Sequence, residues 1–323
     1  MTDYREADFA RLKTVPIAQR HNNVEPSLLA HPPGADRSFA AFWKSLPDVL
    51  AARDLRFVAD QIAAAAGKRG VLAMLGGHVI KVGLAPLLIE LARRKALTHL
   101  AMNGSAAIHD FELAAFGGTS EDVAAGLADG TFGMAEETGR EMNAAIAAGA
   151  AKQQGMGEAL AGYLAARKTL PGREVSLLAA SAALGVPVTV HAAVGAEIIH
   201  QHPTADGAAL GATSHRDFKR LAGMLPELDA GGVVLNLGSA VVMPEVFLKA
   251  LTVSRNLNRG RPTNFTACDF DMQRHYRPRM NVVQRPTAAG GTGVLLTGHH
   301  EIMIPLVVWG VLEALRTPET TGR

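Results

Sequence analysis

A single cysteine, Cys268, stands in 323 residues. It excludes an intramolecular disulfide, and a reducing cytosol is the expected setting. Aromatic side chains make up only 5% of the chain and charged ones 19%, against 48% hydrophobic. That balance lacks the low hydrophobicity and high net charge of a disordered chain. No Lys/Arg block stands out and the formal net charge is +2, so no nucleic-acid partner is expected. The longest apolar stretch, Ile302 to Leu312, is interrupted by Pro305 and is too short to span a bilayer, so no membrane partner is expected either. The opening MTDYREADFARLK carries acids and no apolar core, unlike a secretory leader, which makes cytoplasmic residence the expectation. Three motifs are missing as well: GxGxxG after a strand, a Walker A loop and the GxSxG elbow.

What is present is a rhythm. Residues 1–45 are polar and punctuated by Pro16, Pro26, Pro32 and Pro33, and read as an arm lying on the body or on a neighbouring subunit. Residues 46–323 read as one α/β domain. Short apolar runs near 71–75, 97–102, 186–190, 232–237, 264–269 and 293–297 alternate with helical patterns such as Leu46–Ala66 and Val79–Arg94. This alternation predicts a Rossmann-like, mainly parallel sheet with helices on both faces. The Ala/Gly/Met/Glu-rich stretch 134–184 has helical periodicity and little strand signal, and reads as a helical insertion.

In open parallel sheets ligands sit beyond the carboxyl ends of the strands. The polar clusters of this chain fall there: Gly76-Gly77-His78, Gly104 to Glu112, His191 to His202, Gly238-Ser239 and His299-His300-Glu301. Within the second cluster, His109, Asp110 and Glu112 read as a helix start, where first-turn acids suit the dipole and a histidine does not. A carboxylate there suits a ribose or an amine, and His109 suits proton transfer near neutral pH. His200 and His202 form a His-x-His pair able to chelate a metal if extended; with His299 and Glu301 they define an alternative, a metal-dependent hydrolase. The stretch Gln284 to Gly293, which includes Arg285, reads as a flexible substrate-covering loop.

From about residue 70 to 317 the chain resembles the deoxyhypusine synthase superfamily, which binds NAD on a parallel sheet without GxGxxG. The resemblance runs through Gly77 to Leu84, Gly104 to Asp110, Gly195 to Glu197 with His200, and Asn236 to Pro244. It continues in Thr266-Ala267-Cys268-Asp269-Phe270-Asp271 with Arg277-Pro278, and in His299 to Pro305. The family's imine-forming lysine should follow Val282, but the chain reads Val283-Gln284-Arg285-Pro286, and arginine cannot replace it. The family's pocket aspartates appear here as Glu197 and His299. Deoxyhypusine synthesis itself is therefore not expected. The segment Asn103-Gly104 to Glu112, with Gly117-Gly118-Thr119-Ser120, is also similar to the NAD-dependent ornithine cyclodeaminase domain of the same fold.

The resemblance implies NAD as cofactor and reversible hydride transfer on a small amine or amino acid, in a homotetramer. It implies a catalytic group of His109, Asp110, Lys81, His200 and Glu301. Cofactor contacts are expected from Gly76, Gly77, His78, Gly104, Ser105, Glu112, Gly238, Ser239, Asp269, His299 and His300. Substrate contacts are expected from Glu197, His202, Asp271 and Arg285, and no metal is expected. A non-catalytic NAD- or metabolite-binding protein remains the third reading.

Overall fold

The computed structural model describes residues 4–316, and the chain divides between Arg53 and Asp54 into two compact units. In the first, three single 3-10 turns precede a short helix, α1 (Phe39–Ser45), whose first turn is capped by the Ser38 hydroxyl accepting from Ala41 N. None of residues 4–42 is buried. Helix α2 (Leu50–Ala65) carries the chain into the second unit, where Leu55, Val58, Ala59 and Ile62 form its buried stripe.

Among the described residues the second unit holds six strands: β1 (Val71–Leu75), β2 (His99–Asn103), β3 (Val188–His191), β4 (Val233–Leu237), β5 (Thr266–Asp271) and β6 (Thr292–Thr297). All pair in parallel, in the order β3-β2-β1-β4-β5-β6. Each coincides with an apolar run to within two residues. Every residue of β1, β4 and β5 is buried, which requires cover on both faces and explains why those runs do not alternate. On one face Leu72, Met74, Val234 and Ala267 pack against Leu221, Met243, Phe247 and Leu251.

The helices after β1 are α3 (Gly77–Lys81) and α4 (Ala85–Arg93). The pattern 79–94 predicts one helix, but Gly83 adopts a φ of +83° and Pro86 opens a new first turn, so the segment breaks in two. Between β2 and β3 run α5 (Gly104–Phe116), α6 (Val123–Asp129), α7 (Glu136–Ala151), α8 (Met156–Ala166) and α9 (Leu177–Leu184). The remaining long helices are α10 (Gly207–Met224), α11 (Val242–Leu257) and α12 (His300–Arg316).

The β3 edge of the sheet is covered by a buried charge. Asp217 on α10 accepts from Val190 N on the strand and from Gly157 N at the start of α8, both at 2.8 Å. One carboxylate thereby caps a helix and closes a strand edge.

Candidate functional site

The strand order reverses direction between β1 and β4, the place where open α/β sheets form a crevice. Gly76 ends β1 and Gly238 ends β4. A side chain at Gly76 would overlap the carbonyl of Gly238, so glycine is required there by the close approach of two backbones. Beside this point, at the carboxyl ends of β1, β2 and β3, lies a cavity of about 600 Å³. It is walled by α3, α5, residues 118–138 and the turn 196–198.

Helix α5 supplies its chemical face. Asn103 caps it, the side chain accepting from Ala106 N at 2.8 Å, so the helix starts at Gly104. His109, Asp110 and Glu112 therefore lie in the middle of α5 and not in its first turn. Ser105, Ile108, His109, Glu112 and Phe116 recur at helical spacing and line the cavity. Gly77 lets α5 come close, because a side chain there would overlap Ser105 Oγ and press on His109.

His109 is held by a relay. Its Nδ1 lies 2.7 Å from Thr119 Oγ1, and that hydroxyl donates to Glu112 Oε2 at 2.5 Å. A hydroxyl has one proton. Since Thr119 gives its proton to Glu112, it receives one from His109, which places the imidazole proton on Nδ1 and leaves Nε2 as a base. Thr138 donates to the other oxygen of Glu112 at 2.9 Å and fixes the carboxylate. Burial, with Lys81 nearby, lowers the pKa of His109 and keeps the ring neutral.

The turn after β3 supplies Glu197. Its Oε1 accepts from Ala193 N at 2.8 Å, and its side chain packs over Gly104, where no Cβ would fit. Oε2 lies 2.9 Å from His200 Nε2, yet neither atom has an aligned hydrogen-bond partner and both are buried. His200 Nδ1 accepts from Gly195 N at 3.1 Å, so its proton is on Nε2. Burial raises the Glu197 pKa to about 7 and lowers that of His200.

Five of the residues expected from sequence thus share the cavity: Lys81, Ser105, His109, Glu112 and Glu197. His200 backs one of them. Asp110 turns away. It is fully buried and accepts from Ser176 Oγ at 2.6 Å, Leu177 N at 2.7 Å and Leu178 N at 2.9 Å, capping α9. Burial raises its pKa to about 6 against those three hydrogen bonds. Its contacts are structural, because it stands one position, or about 100° of helix, from His109.

A second group gathers at the switch point. His300 Nε2 donates to Phe270 O at 3.1 Å and its ring stands 5.4 Å from that of His78; its Nδ1 is buried without a partner. Asp269 accepts from Asn236 Nδ2 at 2.7 Å, and burial raises its pKa to about 7. Asp271 accepts from Gln273 N, and Ser239 Oγ from Met243 N at 3.1 Å at the head of α11.

The rest lie elsewhere. His202 donates to Gly133 O at 2.8 Å and packs on Gly139. His299 and Glu301 are exposed near each other at the start of α12. Arg285, just past a π-helical turn at Arg279–Gln284, donates to Asn281 Oδ1. Among the described residues no three His, Cys, Asp or Glu side chains could hold a metal ion, so the histidines of the hydrolase alternative are not brought together. Sequence reading named Thr119 only within the segment Gly117-Gly118-Thr119-Ser120, without a role, and missed Thr138. Only the helical spacing of Ser105, His109, Glu112 and Phe116 pointed toward the face they meet.

No family model matches the chain, and no curated protein matches it in sequence. Solved structures do. A conserved protein from Methanococcus maripaludis assigned to the LOR/SDH type is 13% identical, with 82% of this chain and 71% of that one covered and a TM-score of 0.51. AgrE, solved in a ternary complex with ornithine and NAD+, is 14% identical over 82% of this chain, TM-score 0.48; the match spans only 34% of AgrE. A protein from Entamoeba histolytica assigned as a deoxyhypusine synthase is 10% identical, covers 85% of this chain and 93% of its own, and has a TM-score of 0.48. The likeness is one of fold.

The residues present fit a dinucleotide in part. The glycine turns at Gly76-Gly77 and Gly238 meet at the switch point, with Lys81 one turn along α3. The carboxylate that dinucleotide-binding sheets carry for the ribose has no counterpart at the end of β2, where Asn103 caps its own helix. The carboxylates of the cavity wall are Glu112, Glu121, Glu137 and Glu197.

Proposed function

We propose that the protein is an NAD-dependent enzyme acting on a small amine or amino acid, with His109 as the proton acceptor. The observation that carries this reading is the relay His109–Thr119–Glu112 in the cavity wall, which leaves a neutral imidazole with a basic Nε2. Bound NAD would supply the hydride acceptor for the amine-bearing carbon, and Gly76, Gly77, Gly238 and Lys81 are the residues that would hold it. In this reading His109 Nε2 takes the proton from the substrate nitrogen. Glu112 offsets the charge that then develops on the ring, through the Thr119 hydroxyl. Glu197 Oε2, buried without an aligned donor, receives an N–H of the substrate. A homo-oligomer completes the proposal, in keeping with Phe9, Leu12, Val15 and Ile17, each more than half exposed. So does a cytoplasmic setting, in keeping with the lone buried cysteine.

The test is calorimetry with NAD, followed by an amine and amino-acid panel read by the near-ultraviolet absorbance of reduced cofactor. The expected result is binding of NAD by the wild type, turnover with at least one amine, and NAD binding without turnover by His109→Ala. Failure of the wild type to bind NAD overturns the proposal.

A further inference from the structure

Three members of the relay belong to the body of the unit: His109 and Glu112 on α5, and Thr138 on α7. The fourth does not. Thr119 lies at the root of a segment, residues 117–134, that forms the outer wall of the cavity through Thr119, Ser120, Glu121, Val123 and Phe132.

This segment has the build of a flap. At one root Gly117 has a φ of +78° and Ser120 of +69°; at the other Gly130 has +82° and Gly133 +74°. Glycine carries such angles without strain, and a serine there holds them only while its neighbours keep it in place. Helix α6 within the flap buries a single residue, Gly126, and does so against the flap's own Phe132 backbone. Glu121 Oε1 accepts from Gly133 N at 3.0 Å and ties the two roots together. The flap therefore holds its own shape, while Leu127 and Met134 on it are 69% and 48% exposed.

Few bonds fasten it to the body. At one root stands Thr119 in the relay. At the other, Gln201 Nε2 donates to Phe132 O at 2.7 Å and His202 Nε2 to Gly133 O at 2.8 Å. When the flap lifts, Glu112 keeps its bond from Thr138, but the hydroxyl between it and His109 departs. The histidine then loses the partner that fixes its proton on Nδ1.

We infer that residues 117–134 are a hinged lid over the cavity, and that Thr119 is a positioning residue making His109 a ready base only when the lid is shut. The chemistry this serves is exclusion of water at the moment the base is assembled. The inference takes His109 as the working base, as in the proposed function, but its test needs neither cofactor nor substrate. A failure of one is therefore distinguishable from a failure of the other.

The test uses two readouts on the full chain. Nitroxide labels at Leu127→Cys on the lid and Lys152→Cys at the end of α7 report the opening by electron-spin distance measurement; Cys268, fully buried, stays unlabelled. Nitrogen NMR of the imidazoles reports which nitrogen of His109 carries the proton. In the wild type we expect a dominant short distance and a single His109 tautomer protonated at Nδ1. Thr119→Val should raise the population at the longer distance, by roughly five- to a hundredfold for the two lost hydrogen bonds, and release the tautomer. Thr119→Ser should restore both. Gln201→Ala cuts the far latch without touching His109, and should likewise open the lid and release the tautomer. Two results overturn the inference: Gln201→Ala opens the lid and leaves the His109 tautomer fixed, or neither Thr119→Val nor Gln201→Ala alters the distances.

Discussion

Asp110→Asn separates a capping carboxylate from a ligand-binding one. The carboxylate is fully buried and accepts three hydrogen bonds, from Ser176 Oγ, Leu177 N and Leu178 N. The amide keeps one acceptor oxygen and turns an NH2 group toward N–H donors, so at least one buried donor is left without a partner, which costs about 1–3 kcal/mol. Loss of the negative charge at the start of α9 adds up to about 1 kcal/mol. A deficit of about 2–3 kcal/mol near neutral pH lowers the melting temperature by roughly 3–5 °C in a chain of this size. The pH dependence has a definite sign. The native pKa is raised from 3.8 to about 6, so the native state holds a proton that the unfolded chain has released between those values. The contribution of Asp110 is greatest below pH 4 and is lost as the pH rises through 6. The deficit of Asp110→Asn, which cannot titrate, should therefore narrow from pH 4.5 to pH 8. Melting curves across that range, beside calorimetry with NAD, provide the measurement. Unchanged melting with weakened ligand binding would refute the capping role and return Asp110 to the cavity.

Two further outcomes follow from buried titratable groups near β3. His191, buried and held at a pKa of about 4 by desolvation, stays neutral while the unfolded chain takes up a proton below 6.5. It therefore withdraws about 3 kcal/mol as the pH falls from 6.5 toward 4; urea unfolding of His191→Asn at pH 7 and pH 5 should show a flatter acid limb than the wild type. Asp217→Ala strips the acceptor from Val190 N and Gly157 N, so hydrogen exchange at both amides should accelerate together, and protection of either one unchanged would count against the shared clamp.

The strands were legible because their apolar runs are continuous, the mark of a sheet covered on both faces, and because glycine or polar residues end each one. The lining of the candidate cavity was legible in outline for the same reason: Lys81, Ser105, His109, Glu112 and Glu197 all follow strands. What failed was the angular detail. Assigning the helix start to His109 placed Asp110 beside it in the site, whereas a start at Asn103 puts the two on different faces. The Asn103 cap was readable in the chain, and with it the stripe 105, 109, 112, 116. Thr119 was not readable, because its role depends on the left-handed turn at Ser120 that folds the segment back over α5. His202 and His299 look like chemistry in one dimension, yet they follow β3 and β6, the opposite edges of the sheet, and Arg285 is spent on Asn281.

The order of the strands also governs how the molecule is made. The strands beneath the cavity, β3, β2 and β1, are one contiguous part of both chain and sheet, and every cavity residue lies between Lys81 and Ile198. Yet β1 gains its second neighbour only when Val234 meets Leu72. A pairing so distant in sequence closes late, since contacts between remote residues form slowly. Until β4 arrives, β1 presents its far flank to water as an open edge. The cavity walls are therefore synthesised well before the strand that makes their floor secure, and in that interval the flank of β1 that β4 later covers stays an unpaired edge.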